Sequence, residues 1–126
     1  MAKKVEMYNW RTLPTEEVRK GVTRSGFRGE QVLLVMNRLE PGMALSPHRH
    51  PFEQVLYIVD GRAHVHVDEQ VFEAGPGSVI RIPPNALHYA EPIGDKTVWN
   101  LDVFSPIRAD YRHLVSYQAE EFAETG

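Results

Sequence analysis

The residues best equipped for chemistry are His48 and His50, separated by one arginine, then Gln54, and a remote His88 that follows the run PPNAL. Neutral imidazole binds borderline divalent metals well, and an amide oxygen can complete the shell where the protein holds it in place. Side chains alternate faces along a strand, so His48, His50 and Gln54 share a face if the run is extended, and Glu53 points the other way. Three histidines and a glutamine carry no formal charge. One divalent transition metal held by them keeps its full positive charge, attracts an anionic group and stabilises a developing oxyanion as a Lewis acid. Such a site is less suited to oxygen activation, where a carboxylate ligand is common, and the donor set does not distinguish Zn, Ni, Mn, Fe or Co.

The other histidines read differently. His64 and His66 form a second alternating pair in AHVHV, but no further ligand follows at a usable offset before the turn DEQ. They are expected on the polar face of a half-solvated strand. His113 lies in the charged tail and is expected at the surface. The run WNLDVF at 99–104 also alternates, with Asn100, Asp102 and Phe104 on one face and Trp99, Leu101 and Val103 on the other. Alternation leaves open which face is inside. A carboxylate is costly in a dry core but suits a wet pocket beside a metal. The strand runs into SPIR, so Arg108 is placed to fold back over the pocket mouth as a fixed cation and a two-point clamp for a carboxylate.

Positioning these side chains requires strands. VTRSGF, QVLLVMNRL, QVLYIV, RAHVHV, QVFEA, SVIRI, ALHYA and TVWNLDVF are short, rich in β-branched or aromatic residues, and end at turns built from Gly, Pro, Asn and Asp. So many short strands with close-spaced turns predict an all-β antiparallel sandwich or small barrel. Leu56, Ile58, Ile80 and Ile82 belong to its core. Residues 1–21 are mixed and polar, with LPTEEV read as a turn or a single helical turn; after Phe104 the chain loses alternation and is expected to end in a short helix and a frayed tail. At 126 residues, with 42% hydrophobic and 25% charged, the chain suits one domain, 1–126, with a barrel core at about 22–105. A net charge of −3 without massed basic residues argues against a nucleic-acid partner. The apolar runs are strand-sized, which argues against a membrane span. No cysteine and no apolar leader is present, so a cytoplasmic location is expected. Tyr8 and Trp10 offer apolar surface ahead of the barrel, and a homodimer is expected.

Glycines and prolines frame the ligands at fixed spacing: Gly42 and Gly61 around His48, His50 and Gln54, then Gly77 and Pro83 ahead of His88. This text resembles the two cupin motifs, G(X)5HXH(X)3–4E(X)6G and G(X)5PXG(X)2H, with Gln54 where Glu is usual and Asn85 where Gly is usual. The resemblance implies a double-stranded β-helix, a small jelly-roll barrel. HRHPFEQVLYIVDG, GSVIRIPPNALHYA and LDVFSPIRADY are further similar to the single-domain cupins that include the pectin-degradation protein KdgF. That likeness implies a metal on His48, His50, Gln54 and His88, a catalytic Asp102 and Arg108, and Phe104 in the substrate pocket. The implied substrate is a small anionic sugar, a 4,5-unsaturated uronate monosaccharide, opened from the ring to the linear keto form. Other metal-dependent cupin cyclases or isomerases, a cupin dioxygenase, and a non-catalytic sugar-binding cupin are the alternatives.

Overall fold

The computed structural model describes residues 5–118. Nine strands form in chain order: β1 Glu16–Arg19, β2 Val22–Arg28, β3 Leu33–Leu39, β4 Gln54–Asp60, β5 Ala63–Val67, β6 Gln70–Ala74, β7 Val79–Ile82, β8 His88–Pro92 and β9 Val98–Phe104. They pair antiparallel in two sheets, β1-β2-β3-β9-β4-β7 and β6-β5-β8. The period-two pattern dictates which side of each strand is dry. Ala63, Val65 and Val67 of β5 face Leu56 and Ile58 of β4, Ile82 of β7 and Val98 of β9 across the interior. His64 and His66 accordingly lie on the outer side of the three-stranded sheet. The sequence reading of an antiparallel all-β sandwich holds.

Register decides what enters the interior of the larger sheet. Arg24, Asn37, Asn100 and Ile58 lie side by side across β2, β3, β9 and β4, and the next inward row is Gly26, Val35, Asp102 and Leu56. The question left open by alternation in β9 is thereby answered. Val98, Asn100, Asp102 and Phe104 point inward, and Trp99, Leu101 and Val103 are half-buried on the outer side. Trp99 is covered there by the guanidinium groups of Arg11 and Arg38, at 5.0 and 4.7 Å from its ring.

Two segments differ from expectation or refine it. Within LPTEEV, Glu16 begins a strand, β1, which pairs with β2 through a two-residue turn. Gly21 closes that turn at φ +78°, a left-handed conformation open to glycine at little cost. After Phe104 the chain forms a 3-10 helix, Ala109–Gln118, that packs on β2. Leu114 and Val115 of this helix join Leu33, Val35 and Phe104 in a second apolar cluster. Gly26 permits the approach, since a Cβ there would lie 2.8 Å from the Leu114 Cβ. Gln118 ends the helix by pairing its side-chain amide with Arg28 as a strand residue would, accepting from N and donating to O, both at 3.1 Å. The expected frayed tail lies outside the described residues. Tyr8 packs against Phe27 and Tyr117 of its own chain. No helix among the described residues is long and apolar enough to cross a membrane.

Candidate metal centre

Backbone pairing brings the remote histidine to the HxH run. His48 and His88 exchange two N–H···O bonds of 3.1 and 2.9 Å, and Asn85 donates its N–H to the His50 carbonyl at 2.7 Å. Asn85 reaches that carbonyl from φ +68°, a left-handed conformation that asparagine tolerates better than most residues, so it can stand where a glycine is usual. The HxH run itself is not one extended strand with Gln54, as alternation assumed. The chain bends at residues 51 and 52, where Pro51 cannot donate to a ladder, and Gln54 opens β4 after the bend. The bend still leaves Glu53 outside, paired with Arg81 at 2.5 Å.

Hydrogen bonds fix the tautomer of all three imidazoles. Nδ1 of His48, His50 and His88 lies 2.8, 3.0 and 2.9 Å from the backbone carbonyls of Ser46, Phe52 and Ala86. A carbonyl only accepts, so each Nδ1 carries the hydrogen and each Nε2 presents a lone pair. Burial, with the nearby Arg108 charge, holds the His50 pKa below its usual range, and burial pushes that of His88 down to about 4. Both rings are therefore neutral at pH 7. The three rings bring ligand atoms within 4.8 Å of one another. The buried Nε2 of His88 has no hydrogen-bond partner. Gln54 turns its oxygen to within 3.1 Å of His50 Nε2, because its nitrogen donates to Asp102 Oδ1 at 2.7 Å. Lone pairs that converge with no hydrogen between them call for a cation. The residues fit a divalent transition ion held by His48, His50, His88 and Gln54.

Asp102 is tied to this donor set through Gln54. Its Oδ1 also accepts from Asn100 Nδ2, and its Oδ2 from Asn37 Nδ2, both at 2.9 Å. Burial pushes its pKa up to about 6, against the opposing pull of those three amides and the Arg108 charge. A cation on Gln54 would draw it down again. Gln54, His48, His88, Asp102 and Phe104 line one cavity of about 230 Å³ between the two sheets. Phe104 is buried and meets His50 edge-on at 5.9 Å.

Arg108 lies behind this wall. Its guanidinium sits 4.9, 4.7 and 4.0 Å from the rings of Phe52, Phe104 and Tyr111, and its Nε and one terminal nitrogen donate to the two carboxylate oxygens of Asp110 at 3.1 and 2.6 Å. Its charge reaches the histidines and Asp102 from this buried position. The remaining histidines stand apart. His66 stacks on Tyr89 and meets Glu91 at 3.0 Å, and the half-exposed His113 meets Glu16 at 2.9 Å.

Sequence reasoning passed over Asn37, Tyr111 and Arg24, all of which line the cavity. Asn37 left a signal, a lone amide on the face that otherwise carries Leu33, Val35 and Leu39. Tyr111 and Arg24 left none, since the mixed run VTRSGFR and a tail helix do not announce which side faces inward.

Comparison with known proteins agrees with this architecture. The family model described as a cupin domain matches residues 35–104, from β3 through β9, and so includes every proposed ligand. A curated relative, polyketide synthase CurC of Streptomyces cyaneus, is 33% identical over 98 residues, 77% of this chain. The aligned stretch spans 58% of that relative's length. Among solved structures, an RmlC-like cupin from Shewanella frigidimarina NCIMB 400 is 25% identical with a TM-score of 0.75, over 88% of this chain and 99% of that one. KdgF from Halomonas sp. is 23% identical with a TM-score of 0.74, over 83% and 98%. A family model spanning more than half the sequence, joined to a three-histidine cluster at the motif positions, places the chain in the cupin family.

Proposed function

We propose that this cupin is a metal-dependent enzyme that opens the ring of small 4,5-unsaturated uronates to the linear keto form. The observation that carries the reading is the double use of Gln54: its oxygen belongs to the metal-ligand set, and its nitrogen holds Asp102. A group able to carry a proton thus lies one amide away from the lone pairs that would hold a cation, and both face the same cavity. A divalent ion with four neutral ligands supplies electrostatic stabilisation to a developing oxyanion.

The chain's own residues supply the rest. Asp102, as a carboxylate, takes the proton from the anomeric hydroxyl; the C1–O bond to the ring oxygen breaks, leaving an aldehyde at C1 and an enolate at C5. Return of that proton to C4 gives the 5-keto acid, so the reaction is an isomerisation with no co-reactant. Asn37 and Asn100 hold the carboxyl in place by fixed amide bonds. Arg108 contributes a permanent positive charge behind Phe104, which favours an anionic substrate over a neutral one. Phe104 lines the cavity and meets the His50 ring edge-on, which gives the substrate pocket an aromatic side.

The identity to CurC favours a second reading, chemistry on a polyketide by the same metal and carboxyl. The cavity argues for the smaller substrate. At about 230 Å³ it falls below the ~300–1,000 Å³ typical of sites for drug-sized ligands. Incubation of metal-loaded protein with unsaturated galacturonate tests the proposal. Loss of the conjugated enol-ether absorbance above the uncatalysed rate, with the linear product seen by NMR, is expected. Binding without turnover would instead mark a sugar-binding module.

A further inference from the structure

We propose that Arg24 is the residue that directly grips the carboxylate of the substrate, an inference that rests on the reading of that substrate as a small uronate. Arg24 enters the cavity from β2, beside Asn37 in the sheet register, with its side chain 16% exposed. It is held from two sides. Its Nε donates to Glu16 Oε1 at 2.8 Å, and the other oxygen of Glu16 is occupied by His113. Its guanidinium also stacks 4.5 Å from the centre of the Tyr111 ring.

This anchoring consumes only the Nε side of the group. Among the described residues, the two terminal nitrogens of Arg24 make no hydrogen bond. A planar guanidinium presenting such an edge in a cavity is matched in shape to a carboxylate, and little side-chain freedom remains to be lost on binding. Arg108, the other candidate, has Nε and a terminal nitrogen already committed to Asp110. Tyr111 connects the two, since both guanidinium groups lie against its ring.

Charge points the same way. The chain as a whole carries −3, yet the cavity is lined by Arg19 and Arg24 against a single acid, Asp102. Arg19 donates to the Ala44 carbonyl at 2.6 Å, and burial together with the Arg24 charge pulls its pKa below the usual range. Glu16 offsets part of the Arg24 charge from its Nε side, and the partly desolvated Arg19 beside it leaves this wall of the cavity favourable to an anion.

The test compares galacturonate with galactose, its neutral counterpart, as calorimetric probes of metal-loaded protein. Wild type is expected to bind galacturonate more tightly, and Arg24→Gln to lose about tenfold of that preference, the scale of one charged hydrogen-bonded contact. Galactose affinity and metal content should stay near wild type, which would show that the cavity survives the change. Arg24→Lys should restore part of the preference through charge alone. An unchanged preference in Arg24→Gln, or no preference in wild type, would overturn the assignment. An Arg24-dependent preference in a protein that does not turn over unsaturated galacturonate would support Arg24 and remove the ring-opening reading. Turnover with no Arg24-dependent preference would do the reverse.

Discussion

Gln54 occupies the position where a carboxylate is usual in the cupin motif, and its surroundings explain the exchange. A glutamine can turn an oxygen to the ligand cluster and still donate to Asp102 at 2.7 Å; a glutamate would set two carboxylates against each other. Gln54→Glu should therefore keep metal, yet slow ring opening by about 10²-fold, because the shared proton would be trapped between the two groups. Retention of the wild-type rate would show that the amide donor is dispensable. Metal analysis separates the ligands from their neighbours. His50→Ala should lose at least the ~10–100-fold in metal affinity that disturbing even a supporting group costs. Glu53→Ala should bind as wild type, since its carboxylate is turned outward to Arg81. The clustering of His48, His50 and His88 was legible in residue spacing. Their tautomers were not, because these depend on carbonyls of Ser46, Phe52 and Ala86 that the loops bring back to the rings.

At the scale of elements, the strands that alternate cleanly were readable from the residues, and those that do not were not. AHVHV and QVLYIVD each alternate in burial along most of their length, matching the period of their apolar residues. EEVR carries no such pattern, and β1 exists because Gly21 turns the chain back onto β2. The tail was readable as a short helix, but its seat on β2 depends on the missing side chain of Gly26, a contact distant in sequence. Gly26→Ala should press its new methyl into Leu114, costing roughly 1–3 kcal/mol by overpacking. The urea midpoint should fall accordingly, and because Tyr111 rides on the same helix, the mutation should also weaken substrate binding. An unchanged midpoint would mean that the helix does not bear on β2 as described.

For the whole molecule, the short strand-like runs and their turns correctly framed a small β protein, while the sign of the cavity could not be read from a net charge. The same holds for association. Tyr8, expected to offer surface to a partner, packs on its own chain, although it remains 46% exposed. Val55, Val59 and Val79 are exposed on the outer side of β4 and the edge strand β7, beside Tyr57. We propose that a second copy pairs through this face by two-fold symmetry. Light scattering should then give twice the 14.4 kDa chain mass, reduced to a single chain by Val79→Lys; a 14.4 kDa wild type would refute the pairing. The central claim, that cation and carboxyl act together on a small unsaturated uronate, is tested most directly by measuring turnover and bound metal in Asp102→Asn. Asparagine keeps the size and much of the hydrogen bonding of aspartate but carries no proton. The expected result is metal content equal to wild type with ring opening slowed by about 10²–10⁴-fold. Wild-type turnover in the loaded variant would contradict the account.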